Sequence, residues 1–252
     1  MILKNCLREL LIKFKILPSQ CTWLNPFKII EFEELMKNAN WSKNDAVLDL
    51  GCGGGRQTVL IAKRVRKIVG IDIDNVEIER AADYSRAYSM DLNTEFRCVS
   101  LENANFKQCE FDKIVSVCVL EHIPGYQEIL RRIFKLLKDE GVLLMSVDSL
   151  ATIEDPGLIA RHAAIGKVVH LFTQNEMLSL LTNVGFCDIE VRPIFRSRFA
   201  KELFQKDIEN SFPGHERFVT LCDYWLLRIH EFFSRNFDKG IFLCVKATKK
   251  AP

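Results

Sequence analysis

In the stretch AVLDLGCGGGRQT, residues 46–58, an acidic residue is followed by four glycines within five positions. Such a loop lets the backbone approach a ligand closely, because glycine reaches positive φ without strain. A dinucleotide asks for Gly-x-Gly-x-x-Gly, and counting from Gly51 puts Arg56 where the third glycine belongs. A phosphate loop would end in Gly-Lys-Ser/Thr, which is absent. What stands is Asp49-x-Gly51-x-Gly53-x-Gly55. A second carboxylate, Asp72, follows about 20 residues later, the distance at which an acidic residue meets ribose hydroxyls in nucleotide-binding sheets. Asp74 reads as a helix cap. His122, His162 and His170 are the later groups able to take a proton, and no metal-ligand spacing is visible.

Stretches with strand character must position these residues. AVLDLG (46–51), KIVGIDI (67–73), EFRCV (95–99), KIVSVCVL (113–120) and GVLLMSV (141–147) are continuous apolar runs. Such runs suit strands covered on both faces. Helical segments lie between them, so the pattern predicts an α/β fold with an open, doubly wound sheet. Next, TQNEMLSLLTNVG reads as a helix with a Thr173/Glu176 capping box and Gly185 at its end. FCDIEVRP and KGIFLCVKATK are two further strands, separated by about 45 residues of helical character, far too many for a simple hairpin. At the N-terminus, Asn25 and Pro26 can start a helix. Residues 1–17 form an amphipathic segment, a packing helix or a weak membrane-surface contact.

Bulk properties narrow the function. With 35 basic and 33 acidic residues among 252, the net charge of +2 gives no electrostatic case for a nucleic-acid partner. Nine cysteines, none in Cys-x-x-Cys spacing, predict reduced thiols in a cytoplasmic protein. Four of them, Cys98, Cys118, Cys187 and Cys244, fall in strand-like runs. No apolar run is long enough to span a bilayer.

With these motifs in their order, the sequence resembles the class I S-adenosylmethionine-dependent methyltransferases. Asp49-x-Gly51-x-Gly53-x-Gly55 looks like the family's first motif. VGIDIDNVEIERA (69–81), FDKIVSVCVLEHIP (111–124), LLKDEGVLLMS and HLFTQNEMLSLLTNVGF match later segments, and LNPFK before the glycines is similar to the quinone-biosynthesis O-methyltransferases. The resemblance implies a Rossmann-like, seven-stranded, mainly parallel sheet with an antiparallel last strand. It implies residues 1–45 as an N-terminal helical segment. Residues 46–252 would form the cofactor domain, with helical cap insertions at 150–170 and 193–239.

It further implies S-adenosyl-L-methionine as cofactor, held by Asp49, Gly51, Cys52, Gly53, Asp72, Ile73, Ser100, Leu101 and Val117. Asp72 would accept from both ribose hydroxyls. Asp49 would meet the cofactor's ammonium or else orient the loop. Ser100 stands where the family usually has an Asp for the adenine amine, which shifts adenine recognition toward the Leu101 backbone. Lys28 is either a partner of the cofactor carboxylate or a solvated helix lysine.

The implied reaction is methyl transfer to a small-molecule or glycolipid-like acceptor, probed first at a hydroxyl oxygen. The catalytic candidates are His122 and His170, each with an ordinary role in capping or packing as its alternative; His162 is a weaker candidate. Glu121 is read as an exposed helix-start charge or a loop contact. The chain lacks the Asn/Asp-Pro-Pro-aromatic segment of amino-methylating enzymes and the paired-glutamate loop of arginine methyltransferases. A nicotinamide oxidoreductase and a non-catalytic binding module are the other classes open at this point.

Overall fold

The computed structural model describes residues 25–37, 39–212 and 217–250, so the amphipathic segment 1–17 lies outside the described residues. The elements run α1 (Pro26–Lys37), β1 (Ala46–Leu50), α2 (Arg56–Ala62), β2 (Lys67–Asp72), α3 (Asn75–Ala87), β3 (Thr94–Cys98), β4 (Phe111–Val117), α4 (Tyr126–Leu136), β5 (Leu137–Asp148), α5 (Pro156–Gly166), α6 (Gln174–Val184), β6 (Phe186–Ile194), α7 (Arg198–Glu209), α8 (Arg217–Phe232) and β7 (Phe242–Lys249). They build one seven-stranded sheet in the order β3-β2-β1-β4-β5-β7-β6. Strands β1 to β5 pair in parallel, and β7 runs antiparallel between β5 and β6. The strand order reverses between β1 and β4, which leaves a crevice at their carboxyl ends.

Local signals set the boundaries. Asn25 Oδ1 accepts the Phe27 N–H at 2.9 Å, and Pro26 opens α1. Asp74 caps α3 by accepting from Val76 and Glu77. The Thr173/Glu176 capping box closes in both directions, and Gly185 ends α6 at φ 111°. One boundary departs from the sequence pattern. The apolar run 113–120 ends as a strand at Val117, and Cys118 turns away at φ 51°. A short turn, Leu120–His122, then takes the chain off the sheet edge.

Two glycines explain the shape of the loop after β1. A Cβ on Gly51, at φ +71°, would lie 2.3 Å from Val119 Cγ2. On Gly55, at φ +73°, it would lie 2.7 Å from Ala81 Cβ in α3. The close approach that a dinucleotide fold obtains from its third glycine is thus made one position earlier, against a neighbouring helix. We expect Gly55→Ala to cost about 1–3 kcal/mol from the backbone alone, and more from the clash with Ala81. In thermal denaturation that appears as a midpoint several degrees lower.

Helix α1 belongs to the core. Phe27, Ile29 and Ile30 are buried between the sheet and the late helices, and Phe32 between the sheet and α2. Phe27 meets Phe195 and Phe204 edge-on, with ring centroids 4.8 and 5.2 Å apart. Phe204, on α7, also packs against His162 on α5 at 5.6 Å. Segments 150–166 and 194–232 therefore meet α1 beside the carboxyl end of β5. Within 193–239 the aromatics divide. Phe195, Phe204 and Tyr224 are buried, whereas Phe232 and Phe233 point outward at 83% and 73% exposure. Among the described residues no helix is long and apolar enough to cross a membrane.

Candidate functional site

The glycine loop forms one wall of a cleft of about 470 Å³, lined by Lys28, Phe32, Gly51, Cys52, Gly53, Gly54, Arg56, Gln57, Glu77, Arg80 and Val117. Of the residues expected from sequence, Gly51, Cys52, Gly53 and Val117 line it directly. A Cβ on Gly53 would meet nothing within 4 Å, so this backbone, at φ +48°, borders open space. Asp72 reaches the loop from the end of β2: its Oδ2 accepts the Gly53 N–H at 2.8 Å, and its Oδ1 accepts the Asp74 N–H at 3.0 Å. Each oxygen keeps a second lone pair. Beside it, Ile73 is 78% exposed and offers an apolar surface. Ser100 makes no side-chain cap to the turn that follows β3, and the Leu101 side chain is buried in the core, leaving only its backbone for a ligand.

Asp49 sits beneath the loop with no exposed surface. Gln57 Nε2 donates to its Oδ1 at 2.6 Å and Thr58 Oγ1 to its Oδ2 at 2.5 Å. Both Asp49 oxygens are thus hydrogen-bonded from α2, and one of the partners, Gln57, lines the cleft itself. Burial pushes the Asp49 carboxyl up to about 6, against the pull of the Thr58 and Gln57 hydrogen bonds. The raised value means that the folded state binds this proton more tightly than the unfolded chain. Stability from this group is therefore greatest below pH 4 and falls as pH rises from about 4 to 6, by about 3 kcal/mol in all. Urea titrations at pH 4 and pH 7 should show the loss in the wild type, and Asp49→Asn should lack this component. An equal pH dependence in both proteins would refute it.

Past Val117 the cleft leads to a buried polar group that no sequence spacing announced. Lys28 Nζ donates to Glu31 Oε2 and to Cys118 Sγ, each at 2.9 Å, and the Cys118 thiol donates to Glu31 Oε1 at 2.9 Å. Burial opposes the Lys28 charge, but Cys118 and Glu31 outweigh it and hold the ammonium well above its ordinary value. Burial, reinforced by Glu31, pushes the Cys118 thiol well up. Glu121 is fully buried rather than exposed, and neither of its oxygens has a hydrogen-bond partner among the described residues. Burial and then Asp148 push its carboxyl well above the usual range. Ligand atoms of Cys118, Glu121 and Asp148 lie within 4.8 Å of one another, a grouping that no sequence spacing announced. The chemistry does not fit a resident ion as it stands. A metal needs the thiolate, and this sulfur is a thiol donating to Glu31 with an ammonium against it.

The three histidines fall in different surroundings. His162 Nε2 lies 2.6 Å from Asp148 Oδ2, and both side chains are buried. A carboxylate only accepts, so Nε2 carries a proton toward Asp148, leaving Nδ1 as the other ring nitrogen. That Nδ1 is buried with no partner among the described residues. His122 is exposed, with Nδ1 3.4 Å from the Lys167 carbonyl oxygen. His170 is half-buried on Tyr126 and Phe172 and pairs with Glu176 at 2.7 Å. The 118–122 turn and the 169–170 segment are joined, because the Glu121 carbonyl accepts from Val169 and His170. A separate cavity of about 490 Å³ lies behind α1, lined by residues such as Pro193, Phe195, Leu227 and Phe237, and none of the candidate residues reaches it.

Known proteins agree with this architecture. The profile of a methyltransferase domain family matches residues 41–185. Mouse arsenite methyltransferase (Mus musculus) is 27% identical over 158 residues, 58% of this chain and 42% of that protein. The ubiquinone biosynthesis O-methyltransferase of Coxiella burnetii is 29% identical over 123 residues, 49% of this chain and 50% of that protein. The chain thus spans about half the length of the curated relatives it matches. Phosphoethanolamine N-methyltransferase 2 of Haemonchus contortus, solved with S-adenosyl-L-methionine, superposes with a TM-score of 0.65 at 17% identity, over 88% of this chain and 53% of that one. The expected fold class is borne out, and with more than half of its length matched the chain belongs to the methyltransferase domain family, the S-adenosylmethionine-dependent class that its motifs resemble.

Proposed function

We propose that the protein transfers a methyl group from S-adenosylmethionine to a hydroxyl oxygen of a small, partly apolar acceptor. Lys28 carries this reading. It lines the glycine-loop cleft and donates to Glu31 and Cys118, and Cys118 lies 3.9 Å from Asp148, the partner of His162, so a line of polar contacts runs from the cleft to that histidine.

When bound, the cofactor supplies a methyl on a positively charged sulfur, an electrophile that needs no further activation. The residues of the chain then divide the remaining work. The Gly51–Gly55 backbone and Asp72 would hold the amino-acid and ribose parts, Ile73 would cover the adenine, and Lys28 would suit the carboxylate. The segments 150–170 and 193–239 enclose the acceptor and exclude water, which the packing of Phe204 on His162 and Phe27 supports. When the acceptor oxygen takes the methyl and the carbon–sulfur bond breaks to leave the cofactor as its neutral thioether, Nδ1 of His162 would take the hydroxyl proton. Asp148 fixes the tautomer and stabilises the charge that develops, as a carboxylate does behind a histidine base. An oxygen acceptor is also what one relative's name, ubiquinone biosynthesis O-methyltransferase, describes for that protein.

Two measurements test the proposal. Calorimetric titration should show binding of S-adenosylhomocysteine and not of NAD; the reverse result would return the chain to the oxidoreductases. Incubation with methyl-labelled cofactor and a metabolite extract should give a labelled product that resists the hydrolysis expected of a methyl ester. Cofactor binding without any labelled product would favour a binding module.

A further inference from the structure

The cavity behind α1 is reached by none of the cofactor or proton-transfer residues, yet it has the make-up of a ligand site. Its volume of about 490 Å³ falls within the roughly 300–1,000 Å³ of pockets that hold small molecules. It lies against β6, the edge strand of the sheet, with α1 and α8 on its other sides. Helix α1 divides it from the cofactor cleft: Lys28 lines the cleft, whereas Ile30 and Glu34 line the cavity. Most of the wall is apolar. Phe195 and Leu227 are buried in it, and Phe232 and Phe237 edge the opening at 83% and 68% exposure. The Arg196 guanidinium stands over the Phe237 ring, 5.5 Å from its centroid, and braces that edge.

The charges of the lining are unequal. Three arginines, Arg192, Arg196 and Arg228, stand with two carboxylates, Glu34 and Glu231. Both carboxylates are engaged. Glu231 accepts from Arg196 Nε at 2.6 Å and from the Arg196 backbone N–H at 2.8 Å. Glu34 Oε1 accepts from Arg228 and from Lys37, each at 2.6 Å. Arg192 is the exception: its ion pair with Glu34 Oε2 is 3.7 Å long, beyond hydrogen-bond distance, and its side chain is 43% exposed. A guanidinium carries five N–H donors in a fork that matches a carboxylate. We propose that this cavity binds an apolar carboxylate of the fatty-acid type, its chain against Phe195, Leu227, Phe232 and Phe237 and its head group on Arg192. An uncharged chain would leave that guanidinium unanswered, and a cationic one would meet the surplus of arginines. The site is independent of the methyl-transfer proposal.

Decanoate is the probe. Calorimetric titration of the full chain should give one saturable site at submillimolar concentration. Decanol and decyltrimethylammonium should bind at least tenfold more weakly, the loss of a charge-assisted contact. Saturating S-adenosylhomocysteine should leave decanoate binding unchanged. Arg192→Gln should lower decanoate to the affinity of decanol and leave decanol where it was. Glu34 keeps its bonds from Lys37 and Arg228 in that variant, so the circular-dichroism melt should hold. Phe237→Ala, a change at an exposed position, should weaken decanoate and decanol alike. Absence of saturable decanoate binding overturns the proposal, and so does equal binding of the three probes. So does a decanoate site indifferent to both substitutions, or one that S-adenosylhomocysteine displaces, which would put the chain in the cofactor cleft.

Discussion

Asp72→Ala should lower the affinity for S-adenosylhomocysteine about a hundredfold while leaving the fold intact. The carboxylate stands at the end of β2 with one oxygen on the Gly53 N–H and the other on the Asp74 N–H. Both keep a lone pair for a ribose hydroxyl, and each charge-assisted hydrogen bond is worth about 1.5–3 kcal/mol. Two such bonds correspond to at least two decades of affinity. Loss of the Gly53 contact adds to the effect, because only the Gly51 and Cys52 N–H bonds to the Ile71 carbonyl then tie the loop to β2. Asp72→Asn separates the contributions: it retains acceptor oxygen but loses the charge, and should fall between wild type and Ala. Calorimetry reads the affinity and circular dichroism the fold. An Ala variant that binds like wild type would remove Asp72 from the site.

The other large effect is on turnover. His162→Gln should reduce methyl transfer by about 10²–10⁴-fold, the range for losing a general base. The amide can still donate to Asp148, so the buried carboxylate keeps a partner, but it cannot take a proton. Cofactor affinity should change little, since the contacts of Asp72 and the glycine loop are untouched. The comparison variants His122→Ala and His170→Ala make the test decisive. A loss confined to either of them moves the base to that residue. If all three variants retain near-normal turnover, alignment alone drives the reaction, and the acceptor is an intrinsically acidic or nitrogen nucleophile. The product formed from methyl-labelled cofactor supplies the assay for each.

The sheet was legible because buried parallel strands write themselves as unbroken apolar runs and their helices carry local start and stop signals. Asp49-x-Gly51-x-Gly53-x-Gly55 and Asp72 were legible for a related reason: a loop that must reach positive φ and accept a close ligand admits few residue types, at fixed distances from the strand it leaves. Thr173, Glu176 and Asp74 acted within their own turns, so their caps also followed from sequence.

Tertiary structure decided everything that depends on partners far apart in the chain. Asp49 looks like a ligand in sequence, yet its oxygens are taken by Gln57 and Thr58, and only the return of α2 over β1 shows it. His162 carries no motif, and it gains a defined tautomer because β5 ends with Asp148 where α5 crosses. Glu121 and Cys118 read as an exposed charge and a strand thiol until the turn at φ 51° carries them toward Lys28 and Glu31 of α1. Likewise the aromatics of 193–239 share one helical pattern, and only the docking of α8 on α1 determines which are core and which stay exposed. Local chemistry fixes loops and caps through neighbours in sequence; burial and charge pairing depend on contacts that exist only after the chain has closed on itself.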